Sequence, residues 1–299
     1  MVNENTLLRA GVVGVGYVGK RHAEKYAASA KAQLVGVVDI IPDRSRQVGE
    51  NLDVTSLTDY RDLFGQVSCV SIAVPTNLHY EVTSAFLSAG VDVLVEKPMA
   101  ATLEEGKKLV DLAKERDRIL QIGHLERFNP AVRKLETVIR DPRFIECHRL
   151  APFVERGTDV DVVFDLMIHD IDVIASLVRA PVERVDAVGV AILTDKPDIA
   201  NVTSSRVSMK RERKIRIFQR DAYISLDYDA KRAEIYRKTG SGKGIESILA
   251  ETVEMQDGDA LADEIDSFLE SVRSREPPLV SGEEGLTALR IASMISEQL

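Results

Sequence analysis

Residues 8–39 read LRAGVVGVGYVGKRHAEKYAASAKAQLVGVVD. An apolar run, Leu8 to Val13, leads into Gly14, Gly16 and Gly19 at GxGxxG spacing, and a helical pattern, Val18 to Ala30, follows. A second apolar run, Gln33 to Asp39, ends on a carboxylate about 20 residues past Gly19, the offset of a ribose-binding acid. In such a strand-turn-helix unit the first glycine permits a tight turn and the second lets backbone approach a pyrophosphate. The third lets the helix pack close on the strand. Free N–H groups and the dipole at the helix start favour an anion. Cofactor contacts are therefore expected at Gly14, Gly16, Tyr17, Val18, Gly19 and Asp39. A carboxylate at Asp39 accepts from a ribose 2′-hydroxyl and repels a 2′-phosphate, which favours NAD over NADP. Arg44 and Arg46, just downstream, keep NADP as the alternative.

The same unit recurs to about residue 122. Ser68 to Val74, Val91 to Val95 and Ile119 to Ile122 read as further strands, with helical patterns at Leu78 to Ala89 and Leu103 to Arg116. Runs such as VSCVSIAV are apolar on both faces, which suits parallel strands covered on each side. That predicts a doubly wound α/β Rossmann domain over 1–122. Beyond it the rhythm changes to long β-rich stretches: Phe144 to Phe153, Val182 to Leu193, Val202 to Met209, Lys214 to Gln219, Tyr223 to Tyr228 and Ala233 to Lys238. KIRIFQRDAYISLDY alternates in character about Arg220 and Asp221, as an antiparallel hairpin does. Helices are expected at Asp161 to Val178, Ala260 to Ser274 and Glu283 to Glu297, the last folding back on the first domain. Residues 123–299 thus read as an α+β domain on an open, mostly antiparallel sheet.

Composition narrows the function classes. The chain has 299 residues, 44% hydrophobic and 29% charged, enough for two ordinary cores, and its formal net charge of −9 repels a phosphate backbone. Nucleic acid is not an expected partner. No stretch approaches the ~18–20 uninterrupted apolar residues of a spanning helix, and MVNENTLLRAGVVGVG lacks a signal peptide's basic start and cleavage region. A soluble cytoplasmic protein without a membrane partner is expected. Cys69 and Cys147 are too few and too far apart for a disulfide framework or a thiolate metal knuckle, and read as packing residues.

Ligands of open α/β sheets bind outside the carboxyl ends of the strands. Two such ends carry unusual residues. Pro75, Thr76, Asn77 and His79 follow one strand as a loop suited to lie along a cofactor; Glu96 and Lys97 follow the next. Lys97 is placed to hold a substrate hydroxyl or pass a proton, although a surface lysine paired with Glu96 fits the residues equally well. In TDVDVVFDLMIHDIDVIASLV, helical spacing puts Asp161, Asp165, His169 and Asp172 on one face of an otherwise apolar helix. An acidic and imidazole stripe in such a helix suggests a lined polar cavity, with Asp165 one turn before His169 to fix its tautomer. No second histidine or cysteine stands nearby at ligand spacing, so no metal is expected. Arg127 and Asn129 follow the last Rossmann strand, where the arginine suits a diphosphate or sugar hydroxyl or, equally, a salt bridge. Arg149, Arg156 and Arg206 are further candidates for a diphosphate.

GVGYVGKRH, Asp39 after VGVV, and SIAVPTNLHYEVTSAFLSAGVDVLVEKPMA together resemble the Gfo/Idh/MocA family of NAD(P)-dependent sugar and inositol oxidoreductases, with EKP as the specific signature. HLERFNPA (His124 to Ala131) and DLMIHDID (Asp165 to Asp172) look most like its UDP-N-acetylglucosamine 3-dehydrogenase branch. The resemblance implies a Rossmann domain and an open-sheet domain, NAD as cofactor, and a homodimer or homotetramer. Lys97, Asp165 and His169 would be the catalytic set and, with Arg127 and Asn129, the substrate contacts. The implied reaction is oxidation of the sugar C3 hydroxyl to a ketone, ahead of transamination toward diamino-sugar lipid A. The alternatives are an inositol, free-sugar or other UDP-sugar dehydrogenase, a glycosidase with transient oxidation, and a non-catalytic NAD-binding regulator.

Overall fold

In the computed structural model, residues 7–152, 161–187, 190–194, 199–239, 247–254 and 258–299 are described. Strands β1 (Leu8–Val13), β2 (Ala32–Val38), β3 (Thr55–Leu57), β4 (Cys69–Ile72), β5 (Asp92–Glu96) and β6 (Leu120–Gly123) form one sheet in the order β3-β2-β1-β4-β5-β6. Every pairing in it is parallel. β4 and β6 are buried throughout, the pattern of strands covered on both faces. The covering helices are α1 (Tyr17–Ala28), α2 (Pro42–Leu52), α3 (His79–Ser88) and α4 (Leu103–Glu115). From β1 the chain winds to one edge through β2 and β3, then returns to β4. The order reverses beside β1, where crevices open at strand carboxyl ends.

Helix α5 (Pro130–Val138) precedes the second sheet. Its strands are β7 (Pro142–Leu150), β8 (Val182–Asp186), β9 (Val190–Thr194), β10 (Ile199–Ser205), β11 (Glu212–Gln219), β12 (Ala222–Asp227), β13 (Arg232–Lys238) and β14 (Ile248–Glu254). They lie in the order β14-β13-β12-β11-β7-β10-β9-β8, with β7 and β10 parallel and the other pairs antiparallel. The β11–β12 hairpin turns at Arg220 and Asp221, as its alternation predicts. The stretch expected as one strand from Val182 to Leu193 is two antiparallel strands, β8 and β9. β3, α2, α5 and β14 are not among the expected elements: α2 buries only Ser45, Val48 and Gly49, and β14 is exposed along nearly all its length.

Two compact units result: Met1–Leu125 with Asp259–Leu289, and Glu126–Gly258 with Arg290–Leu299. The first therefore includes helix α7 (Ala260–Ser274), which the expected boundary after residue 122 leaves in the second domain, and the first half of α8 (Gly282–Ser296), the helix expected to fold back on the first domain. The cause is packing. Ile265, Phe268, Leu269 and Val272 of α7 share a core with Ala10, Val12, Ala23, Tyr26, Leu34 and Leu94. Their spacing gives α7 one apolar face fitted to the sheet and α1. Both cysteines are buried, and burial pushes the Cys69 thiol up to about 12, consistent with a packing role.

Phe268 is fully buried, so Phe268→Ala should lower the unfolding free energy by about 3–5 kcal/mol. Asp266→Ala, which removes only an exposed pairing with Lys31, should cost less than about 1 kcal/mol. Guanidinium unfolding of both variants checks this; equal losses would mean that α7 is not docked through its apolar face.

Candidate active site

In the first unit the predicted cofactor residues gather at strand carboxyl ends. Gly14, after β1, has φ +82°, and a Cβ there would stand 2.6 Å from the Ala73 carbonyl oxygen. Its backbone conformation and its neighbour both exclude a side chain. A Cβ on Gly19 would lie 1.8 Å from the Gly14 carbonyl oxygen, so the first turn of α1 packs directly on the turn that precedes it. Around Gly16 the opposite holds: an added Cβ meets nothing within 4 Å. Gly16 caps α1 with no side-chain hydrogen bond, and no acid sits in the first turn. Tyr17 and Val18 are exposed beside it. An open backbone cradle at an uncapped helix start fits a pyrophosphate.

Asp39, after β2, is 5% exposed. Its Oδ2 accepts the Val15 N–H at 3.0 Å and its Oδ1 the Ile41 N–H at 3.0 Å, which ties the acid to the glycine-rich turn. Arg44 stands 3.3 Å from the same carboxylate, whereas Arg46 pairs with Asp43 at 3.2 Å. After β4, Pro75 and Asn77 are exposed and Thr76 is half-buried. His79 is buried instead, with ring nitrogens 2.7 Å from the Pro98 carbonyl oxygen and 2.9 Å from that of Val74. Burial lowers its pKa, against the pull of those two carbonyls. It joins the loops after β4 and β5 rather than standing open to a ligand. After β5, Lys97 is half-buried, and its N–H donates to Glu96 Oε2 at 3.3 Å.

In the second unit the stripe on the Asp161 to Val178 segment divides by role. Val163–Met167 is a π-helical turn, and α6 (Ile168–Val178) continues it. Asp161 caps the segment, accepting from the N–H groups of Val163 at 2.8 Å and Phe164 at 3.1 Å, and from Ser296 Oγ at 2.7 Å. Asp172 is buried 3.5 Å from Arg127. Asp165 and His169 between them are half-buried, and Arg206 lies 3.6 Å from Asp165. A π turn displaces side chains from α-helical register and recurs at functional sites.

Several expected substrate contacts have structural partners. Arg127, 5% exposed, is also 3.5 Å from Glu136. Asn129 Oδ1 accepts the Ala131 N–H at 3.0 Å and caps α5. Arg149 makes two 2.8 Å bonds to Asp170 and a third, at 3.3 Å, to Glu126, which Arg213 also contacts. Burial works to lower the Arg149 pKa, but Asp170 outweighs it and raises the value. Arg156 lies outside the described residues, so Arg206 is the described candidate from that set with a partly exposed side chain. Glu264, a buried polar group of the first unit, was missed; its sole sequence signal is a charge on the apolar face of α7.

Residues 8–124 match the family model described as "Oxidoreductase family, NAD-binding Rossmann fold". The chain is 38% identical to the UDP-N-acetylglucosamine 3-dehydrogenase of Acidithiobacillus ferrooxidans, with 96% of each chain covered. The chain belongs to the Gfo/Idh/MocA oxidoreductase family. A solved structure of that same Acidithiobacillus enzyme superposes with a TM-score of 0.92 at 34% identity, covering 98% of each chain. The myo-inositol 2-dehydrogenase of Thermotoga maritima is 26% identical over 98% of this chain and 96% of its own. As a family member, this chain is an NAD(P)-dependent oxidoreductase with an NAD-binding Rossmann fold. Among the described residues no helix is long and apolar enough to cross a membrane.

The glycine geometry yields a paired test. Gly16→Ala should fold normally and weaken NAD binding at least about tenfold, because the cradle alone is filled. Gly19→Ala should destabilise the fold itself. Thermal melts and NADH titration by dihydronicotinamide fluorescence separate the two, and full NADH affinity in Gly16→Ala would move the pyrophosphate elsewhere. In the second unit, Arg149→Ala strands Asp170 in the interior and should cost about 3–5 kcal/mol by chemical unfolding.

Proposed function

We propose that this protein is an NAD-dependent dehydrogenase that oxidises the C3 hydroxyl of UDP-N-acetylglucosamine to a ketone in the cytoplasm. The observation that carries the reading is the near-full-length likeness to an enzyme of that name. Lys97, Asp165 and His169 supply the side chains such chemistry needs.

The proposed roles follow from side-chain chemistry. The Gly16 backbone and the α1 N-terminus bind a pyrophosphate, Asp39 accepts from ribose hydroxyls, and Pro75, Thr76 and Asn77 line the cofactor's path, held by His79. Glu96 supports that site through Lys97. The Asp39 carboxylate favours NAD; Arg44 beside it is the group that would meet a 2′-phosphate of NADP. An NAD held by the Gly16 backbone, the α1 N-terminus and Asp39 would supply the acceptor for the hydride of the carbinol carbon. His169 takes the hydroxyl proton, Asp165 stabilises the imidazolium, and Lys97 donates a hydrogen bond to the same oxygen. Arg206 is the side chain proposed for the diphosphate, with Arg127 and Asn129 supporting the pocket through the ion pairs and helix cap they make.

We also infer a homodimer or homotetramer. Phe144, Phe218, Tyr223 and Tyr236 form a cross-strand aromatic row with centroids 4.9–5.9 Å apart, and Phe218 and Tyr236 remain more than a third exposed. Apolar area of this kind on a sheet face is commonly covered by a second copy.

NAD reduction should appear with UDP-N-acetylglucosamine and not with myo-inositol or free hexoses, and a coupled aminotransferase should trap the ketone. Turnover with myo-inositol instead would favour the second reading, an inositol dehydrogenase, to which the Thermotoga relative points. NAD binding without reduction by any of these would leave a regulator. His169→Ala should lower turnover by about 10²–10⁴-fold with NAD affinity kept. Lys97→Ala should lower kcat; a raised KM with unchanged kcat would make Lys97 a binding group alone.

A further inference from the structure

A buried polar cluster in the first unit meets the chemistry above only at Glu96. His22 and Tyr26 come from α1, Ser71 from β4, Glu96 from β5, Gln121 from β6 and Glu264 from α7. Ligand atoms of His22, Glu96 and Glu264 all lie within 4.8 Å of one another. Glu264 is fully buried, and among the described residues neither of its carboxyl oxygens has a hydrogen-bond partner. Gln121 Nε2 donates to the Glu264 backbone carbonyl at 3.1 Å, yet its Oε1 also has no donor. Buried oxygens without donors cost free energy, and a carboxyl left without donors in the interior costs less as the neutral acid than as the carboxylate.

Glu96 is in a different position. His22 Nε2 stands 2.9 Å from its Oε1, and its Oε2 accepts the Lys97 N–H. Burial opposes its charge, but the His22 hydrogen bond and the charges of His22, Lys97 and His79 hold its carboxyl below the ordinary range. For Glu264, burial first and the Glu96 charge second push the pKa well above the usual value. The other groups facing the cluster are no source of positive charge: burial raises the Tyr26 phenol and the Cys69 thiol, so both stay neutral. His22 Nδ1 lies 3.1 Å from Ser71 Oγ, which is 2.9 Å from Tyr26 Oη. Both His22 nitrogens are thereby engaged, so a proton suits the cluster better than a cation.

We propose that Glu264 keeps the proton of this carboxyl pair, so that Glu96 alone bears the negative charge that positions Lys97 by its backbone amide and holds its side chain as ammonium. The inference rests on the role of Lys97 given above and adds Glu264 to it as a positioning residue acting through Glu96. Were both carboxyls ionised, two like charges would share one buried site; were Glu96 neutral, the lysine would lose its counter-charge.

The test compares Glu264→Gln with Glu96→Gln in the full chain. The infrared carbonyl band of a protonated carboxyl should be present in the wild type at neutral pH, lost in Glu264→Gln and kept in Glu96→Gln. Acylation of Lys97 by acetic anhydride, read by peptide mass spectrometry, should stay within about twofold in Glu264→Gln and rise about threefold or more in Glu96→Gln. The folded chain retains a proton that the unfolded chain releases near pH ~4.3, so wild-type stability should fall relative to Glu264→Gln as pH rises above that value. A band that survives in Glu264→Gln or disappears in Glu96→Gln overturns the assignment. So does Lys97 acylation that quickens in Glu264→Gln, or a stoichiometric metal in the purified protein. If Glu96→Gln does not fold, the wild type and Glu264→Gln still decide by band, acylation and melting against pH. No readout uses a sugar, so a failed substrate assignment is distinguishable from a failed proton assignment.

Discussion

The first unit depends on how closely α1 approaches the turn that follows β1. A Cβ at Gly19 would meet the Gly14 carbonyl oxygen at 1.8 Å, so the helix starts in van der Waals contact with the strand end. Three consequences follow from that contact. The α1 N–H groups open at the carboxyl edge of the sheet beside the order reversal. The Val15 N–H comes within 3.0 Å of Asp39, which couples the first two strand ends. One turn further along, His22 enters the interior and reaches Ser71 and Glu96 on β4 and β5. A larger residue at either glycine would lift α1 and loosen all three.

Buried charge is the second constraint, and each unit meets it differently. The second unit neutralises Arg149 with a bidentate pairing to Asp170, a geometry suited to low dielectric, and a single contact to Glu126. The first unit places two carboxyls near one histidine, an imbalance of two acids to one base within the cluster. A retained proton relieves that imbalance with little rearrangement. The two solutions also separate scaffold from chemistry. Arg127, Arg149, Asp161 and Asp172 are engaged by caps and ion pairs, while Asp165, His169 and Lys97 keep part of their surface.

Much of the fold was legible because its signals are local. Apolar runs separated by glycine and amphipathic helices gave the parallel sheet, and alternation about Arg220 and Asp221 gave the hairpin. Elements without a buried apolar face were not legible: α2 is polar along most of its length, and β14 leaves Ile248 and Leu249 exposed at the sheet edge. The helical arithmetic for Asp165 and His169 assumed an α-helix throughout, and the π turn at Val163–Met167 has no sequence signature of its own.

What the sequence by itself determined is the strand-turn-helix motif, its acid at Asp39, and the residue types for proton transfer, because spacing along the chain dictates each of them. Tertiary structure alone decided which polar residues are structural and which remain accessible. Arg127 and Asn129 suit ligand binding until their partners are known, and the charge of Glu264 on the apolar face of α7 gains its meaning only once α7 is docked on the first sheet. The physical reason is that burial and pairing belong to contacts between segments far apart in the chain, and no local pattern encodes them.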